Sequence, residues 1–158
     1  MKSGAGYAEI ILPDGLAVGT YMAVNACGEI YDQDKILAGA LADDDRTIIS
    51  SHRLMLEGYE RNMGGNTSIG CIITNADLTK TECRMVSTMA HDGLARSIRP
   101  VHTSMDGDTL FTMASGEVKT TIDTVGYLAE EAVRLAVLDA AASAEGMGGR
   151  PAYRDIIK

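Results

Sequence analysis

A hydroxyl residue at the end of a flexible loop and the start of an apolar strand is well placed to act as a nucleophile. The stretch Gly64 to Ala76, GGNTSIGCIITNA, offers one in Thr67. Gly64 and Gly65 lack a Cβ, so the backbone there has access to angles closed to other residues and another group can approach closely. From Ser68 onward Ile69, Cys71 and Ile73 alternate with Gly70, Ile72 and Thr74, the pattern of a strand packed on both faces. Such a junction suits self-cleavage. The Thr67 hydroxyl attacks the Asn66 carbonyl, an N-to-O acyl shift gives an ester, and water releases Thr67 as a new N-terminus. The freed α-amine, with an unperturbed pKa of about 7.7 to 8.0, can take the hydroxyl proton without a histidine. Two plainer readings stand beside this one. Asn66-Thr67-Ser68 fits the N-glycosylation pattern, which matters only in a secreted chain. Gly-Gly-Asn is also good hairpin-turn chemistry, and taken alone the turn is the stronger reading.

Asp106-Gly107-Asp108 sets two carboxylates around a glycine just before the apolar run Thr109 to Ala114. It reads as a turn, a calcium-loop fragment or a catalytic pair. The full calcium-loop pattern is absent, which removes the second option. A carboxylate close to a new ammonium group would hold it and favour its charged form, while another could orient the hydroxyl. Either aspartate could take either part. Asn25 ends an apolar run, where an amide needs a partner or a function. Satisfying a turn backbone is as good a reading there as a chemical role. His91 and His102 have no partner at metal-ligand or triad spacing and read as polar helix-surface and loop residues. Asp43-Asp44-Asp45 reads as a solvated loop, with a metal site the weaker option. Neither a metal nor a cofactor is expected.

These residues need elements to hold them. Ala8 to Leu12 and Leu16 to Asn25 are apolar runs around Pro13-Asp14-Gly15, which predicts a hairpin, and Gly28 makes another turn ahead of Glu29-Ile30-Tyr31. Leu41 to Met63 is irregular, and a mobile stretch there would let the bond after it reach a strained attack geometry. Thr79-Lys80-Thr81-Glu82 is a capping box. Cys83, Val86, Ala90, Leu94 and Ile98 follow at three- and four-residue steps until Pro100, predicting a helix with one inward face. Gly93 within it costs about 1 kcal/mol relative to Ala, so another backbone is expected to pack against it. A second helix is predicted from Asp123 as N-cap through Val125, Leu128, Ala132, Leu135 and Ala136 to Ala142, with Glu130 and Arg134 as an i,i+4 pair. Gly146, Gly148 and Gly149 end it. The fold class is α/β: mainly antiparallel strands within 7–31, 67–76 and 108–115, covered by the two helices.

The 158 residues, 46% apolar and 23% charged, suit one soluble domain, 1–158, with its own core. A net charge of −8 and a pI near 4.8 argue against nucleic acid or an anionic membrane as partner and leave a small molecule or peptide. Cys27, Cys71 and Cys83, odd in number and set in apolar stretches, read as reduced core cysteines. The N-terminus MKSGAGYAEIIL has no apolar run long enough for a signal peptide or a membrane span, so the cytoplasm is the expected compartment.

Three blocks, LAVGTYMAVNACGEIYD, GGNTSIGCIITNA and MAHDGLARSIRPVHTSMDGDTLFTMASG, resemble in order the blocks of the DmpA-type aminopeptidases, relatives of β-peptidyl aminopeptidases and nylon-oligomer hydrolases. Members of that family are much longer, and the resemblance is to their C-terminal portion. It implies an αββα sandwich, of which this chain would form part, and an autoprocessing hydrolase of small peptide-like amides or esters. By the same resemblance Thr67 is the nucleophile freed by cleavage after Asn66, giving fragments 1–66 and 67–158. Asn25 becomes the oxyanion-hole donor, and Asp106 and Asp108 the orienting pair. The nylon-hydrolase branch carries Asp at both of the last two positions, whereas β-peptidyl aminopeptidases have Ser and Glu. The family also draws a catalytic Lys and Tyr from the portion absent here. Two alternatives remain: ornithine acetyltransferases share a self-cleaved Thr and a related fold but pass the acyl group to an amine, and a non-catalytic assembly subunit would keep only the fold. Strands apolar on both faces need two covering layers, so a homo-oligomer or a separately encoded N-terminal partner chain is expected.

Overall fold

The structure is a computed structural model that describes residues 1–58 and 65–156. The expectations for Gly64, for the tail of the irregular segment at 59–63 and for the end of the chain at 157–158 lie outside the described residues.

The predicted hairpin forms from β1 (Ala5–Ile11) and β2 (Ala17–Ala23). Asp14 turns the chain by accepting the Leu16 N–H at 3.0 Å. Next come β3 (Glu29–Asp32), β4 (Lys35–Ala38), the short pair β5 (Ala40–Leu41) and β6 (Ile48–Ile49), and a brief helix α1 (Ser51–Leu56). Then follow β7 (Ile69–Ala76), α2 (Lys80–Ser97), β8 (Ile98–Arg99), β9 (Thr109–Val118), α3 (Ile122–Ser143) and α4 (Tyr153–Ile156).

The main sheet has the order β1-β2-β7-β9. Its first two pairings are antiparallel, and β9 lies parallel to β7, which the long connection through α2 permits. Both long helices lie on one side of it. Register aligns Ala8, Thr20, Ile72 and Thr112 in one row and Gly6, Met22, Gly70 and Leu110 in the next, facing the helices. Met22 and Ile72 are fully buried there with Val86 and Leu94 of α2 and Val125, Val133 and Val137 of α3. Each such aliphatic contributes about 1.5 to 3 kcal/mol by leaving water.

The capping box forms as read: Thr79 Oγ1 accepts the Glu82 N–H and the Glu82 carboxylate accepts the Thr79 N–H at 2.7 Å. Gly93 also behaves as expected, since a Cβ there would collide with the Glu130 carbonyl of α3.

Several details differ. The N-cap of α3 is Thr121, whose Oγ1 accepts the Thr124 N–H at 3.2 Å. Asp123 lies in the first turn instead, where its carboxylate meets the positive end of the helix dipole. Glu130 and Arg134 do not pair along the helix. Glu130 accepts from Arg96 of α2 at 2.8 Å, while Arg134 turns to Glu131 at 3.1 Å, because the position of Glu130 faces α2. Of the cysteines, Cys27 is buried, whereas Cys71 and Cys83 are half-buried and off the core.

The largest difference concerns β7, which is packed on one face. Its burial alternates, with Ile69 and Ile73 exposed and Gly70, Ile72, Thr74 and Ala76 inside. On the outer face the rows Tyr7, Tyr21, Cys71, Phe111 and Glu9, Gly19, Ile73, Met113 run across the sheet. Tyr7, Tyr21, Ile69, Ile73, Phe111 and Met113 are each 47% to 56% exposed. The apolar alternation registers two faces, but the described part of the chain supplies helices for one.

Glu29 was not singled out by the sequence, yet it is fully buried. Its Oε1 accepts the Ser51 N–H at 2.6 Å, so a core carboxylate ties down the start of α1.

Candidate active site

The parallel register of β7 and β9, Ile69 opposite Thr109, continues upstream as a bridge between Asn66 and Asp106. Residues 66–68 and 106–108 are therefore zipped together. The Asn66 N–H donates to the Met105 carbonyl at 3.0 Å, and the Gly107 N–H donates to the Asn66 carbonyl at 2.9 Å. Asp108 Oδ1 accepts the Ser68 N–H at 2.8 Å, and the Thr109 N–H donates to the Ser68 carbonyl at 3.0 Å. From the end of β2, the Asn25 carbonyl accepts the Thr67 N–H at 3.1 Å.

The sequence-predicted residues Asn25, Asn66, Thr67 and Asp108 thus meet at one point, with Asp106 on the adjoining turn. Thr67 is exposed, and its Oγ1 donates to the carbonyl oxygen of Asn66 at 2.7 Å. That carbonyl accepts from two donors, the hydroxyl and the Gly107 amide. A Cβ at Gly107 would stand 2.7 Å from Thr67 Oγ1, so a glycine lets this backbone lie against the hydroxyl. Asp106 is held in a tight turn: its Oδ2 accepts the Thr103 N–H at 2.9 Å and the Thr103 hydroxyl at 2.8 Å.

Sequence reasoning missed several of these parts. Thr103 fixes Asp106, Met105 and Gly107 grip the Asn66 peptide through backbone atoms, and Asn25 reaches Thr67 by its carbonyl. Backbone contacts leave no mark on residue type, although Gly107 between two aspartates was a usable signal of close approach. The histidines are not separate surface residues. His91 Nδ1 and His102 Nε2 lie 3.0 Å apart, beside a concave surface shared with Arg84, Ser87, Thr88 and Leu110.

Burial, and after it the Asp106 carboxylate, push the Cys27 thiol above its ordinary value against a hydrogen bond from Thr103. A thiol kept protonated is a poor nucleophile. The aspartate triplet is solvated as read. Asp44 caps its own loop through the Arg46 and Thr47 N–H groups and the Thr47 hydroxyl, which lower its carboxyl to about 2. Among the described residues no group of three or more His, Cys, Asp or Glu side chains is arranged to hold a metal ion. No described helix is long and apolar enough to cross a membrane.

The family model for peptidase family S58 matches residues 1–154. The chain belongs to peptidase family S58. Among curated relatives of this S58 chain, an uncharacterized aminopeptidase of Mycobacterium leprae is 34% identical over 174 residues, covering 97% of the chain and 48% of the relative. One from Mycobacterium tuberculosis is 34% identical over 180 residues, covering 99% and 52%. The chain thus spans about half the length of these relatives. A shorter match of 54 residues, 41% identical, links 34% of the chain to 15% of a 6-aminohexanoate-oligomer endohydrolase of Kocuria. Among solved structures, a Burkholderia beta-aminopeptidase superposes with a TM-score of 0.67 at 18% identity, covering 96% of the chain and 45% of its own. The L-aminopeptidase D-Ala-esterase/amidase of Ochrobactrum anthropi, described as a variant of the Ntn hydrolase fold, gives 0.61 at 18%, covering 95% and 43%. The α/β fold of the S58 chain is that of these aminopeptidases.

Proposed function

We propose that the chain carries the nucleophile of an autoprocessing hydrolase that acts as an aminopeptidase, amidase or esterase on small peptide-like substrates through an acyl-enzyme on Thr67. The observation that carries this reading is the double grip on the Asn66 carbonyl, by Thr67 Oγ1 at 2.7 Å and the Gly107 N–H at 2.9 Å. The hydroxyl oxygen lies beside the peptide it would attack. The Gly107 amide points at the oxygen on which negative charge would develop.

In processing, Thr67 Oγ1 bonds to the Asn66 carbonyl carbon, the Asn66–Thr67 C–N bond breaks, and the hydroxyl proton leaves with the departing nitrogen. Water then splits the ester, giving an Asn66 carboxylate and a free Thr67 amine. In turnover that amine takes the hydroxyl proton as Oγ1 attacks the substrate acyl carbon, and returns it to the leaving amine. Water hydrolyses the acyl-enzyme. The Asn25 carbonyl, already on the Thr67 nitrogen, would hold the new amine, and its side-chain amide is the candidate oxyanion donor. Asp108 keeps the backbone at Ser68 in line, and Asp106 braces the turn that presents Gly107.

The exposed apolar face favours a second feature of this reading: another layer covers the sheet, from a partner chain or from self-assembly. The names of the relatives support amide-bond substrates at a peptide N-terminus. The test is the intact mass of the purified chain, followed by turnover of a chromogenic aminoacyl anilide. Two fragments, 1–66 and 67–158, are expected. An intact chain after long incubation with the covering partner present would overturn the proposal.

A further inference from the structure

The segment that grips the scissile peptide, residues 100–107, is tied to the rest of the molecule by an imidazole pair. His91 stands on α2, a helix fixed by its capping box and by burial of Val86, Ala90 and Leu94. His102 stands within the segment, with its ring 5.0 Å from that of His91 centre to centre. Its backbone φ is +54°, a conformation that non-glycine residues rarely adopt, and there it presents its Nε2 to His91 Nδ1 at 3.0 Å. One residue later Thr103 begins the turn that holds Asp106, and the Met105 carbonyl and Gly107 N–H take up the N–H and carbonyl of Asn66.

We propose, resting on the processing reading above, that His91 and His102 are positioning residues: the proton shared between their rings latches segment 100–107 to α2 and so sets the Gly107 amide against the Asn66 carbonyl. Each neutral ring carries one N–H, so the pair holds one hydrogen between Nδ1 and Nε2. A singly protonated pair still does. Once both rings are cationic, both facing nitrogens carry hydrogen, the contact turns repulsive and the latch opens.

The surroundings favour the closed state at neutral pH. Burial first, and the His102 ring second, hold the His91 imidazole below its ordinary value, while Asp108, just ahead of β9, and Asp92 from α2 pull the other way. Arg84 of α2 lines the same concavity and adds positive charge. A histidine lowered on folding contributes stability that is complete above its unfolded value, about 6.5, and is lost as pH falls through the lower folded value. The uncut chain has no Thr67 α-amine, so the pH dependence of processing is free of that group's titration.

The test has two arms. In the 15N-labelled chain carrying Thr67→Ala, the imidazole nitrogens and the Asn66 and Gly107 amides are followed by NMR from pH 8 to pH 5. The latch requires both amides to shift together with the His91 imidazole nitrogens, at a midpoint below about 6.5. His102→Asn, chosen because asparagine tolerates positive φ, should abolish the amide shift. In the second arm, processing of the otherwise wild-type chain at pH 7.5 should slow by on the order of tenfold to a hundredfold in His102→Asn and in His91→Gln, with thermal midpoints unchanged. Amides that stay flat while the histidines titrate overturn the proposal, as do variants that cut at the rate of a cutting wild type. A wild-type chain that never cuts but shows the shared midpoint supports the latch and counts against the processing reading alone.

Discussion

Gly107→Ala isolates the close approach at the Thr67 hydroxyl. The added methyl would stand 2.7 Å from Thr67 Oγ1 but 3.7 Å from Thr67 Cβ and Cγ2, so the collision falls on the hydroxyl alone. An ordinary contact needs at least about 0.7 Å more, and the hydroxyl would swing off the Asn66 carbonyl or the 106–108 turn would retreat, lengthening the hydrogen bond from the Gly107 N–H. A misplacement of about 1 Å in a reacting group costs on the order of a hundredfold, or about 2.7 kcal/mol in the barrier, so a shift of about 0.7 Å should slow processing at least tenfold. The backbone φ of Gly107 is not positive, so alanine introduces no backbone strain, and the stability change should stay within about 1 kcal/mol. Timed intact-mass spectra at constant pH measure the cleavage rate, and a thermal melt checks the fold. Cleavage at the wild-type rate by a folded Gly107→Ala chain would refute the idea that the hydroxyl must occupy the observed position.

Thr67→Ala should leave a single uncut chain, whereas Thr67→Ser should retain cleavage, both read by intact mass. Asp108→Asn keeps an acceptor for the Ser68 N–H but loses the charge, so anilide turnover should fall far more than apparent substrate affinity, and equal kcat would reduce the carboxylate to a turn residue. Glu29→Ala leaves the buried Ser51 N–H without its carboxylate and should cost about 1.5 to 3 kcal/mol, seen as a lower urea midpoint. The chain alone should scatter light as an assembly or bind an apolar-surface dye, and Ile73→Lys with Phe111→Glu should diminish both, since these side chains lie on the open face.

How much of this was legible in the residues depended on the range of the interaction. The Thr79 capping box and the Val86, Ala90 and Leu94 stripe of α2 are local patterns, and both formed as read, whereas Cys83 is only half-buried and Ile98 lies beyond the helix. Thr121 and Asp123 are both capable caps two residues apart, and local chemistry ranks them too closely to choose. Glu130 found Arg96 rather than Arg134 because helix packing, invisible in one helix's sequence, brought a better-placed cation. The alternation in β7 announced two apolar faces but carried no information about which segment covers each. Asn25, Thr67 and Asp108 are brought together by backbone bonds at the ends of β2, β7 and β9, and the histidine pair by the path of the chain between α2 and β9, neither of which residue spacing encodes.

Cleavage after Asn66 would divide the main sheet between its two products. Strands β1 and β2 would belong to the first fragment, and β7, β9, α2 and α3 to the second, with Thr20 still paired to Ile72 and α3 still packed on the hairpin. The products would therefore remain one particle, a nicked protein whose pieces share a core. Assembly, however, would no longer be equivalent in the two directions. The uncut chain brings β2 to β7 as an intramolecular event, whereas separated fragments would have to find each other at their free concentration, losing the advantage of the tether. Refolding after full denaturation should then be first order for Thr67→Ala and second order for the processed protein. Maturation would act as a one-way step, in which the chain can fold unaided once and afterwards persists only as long as it is not taken apart.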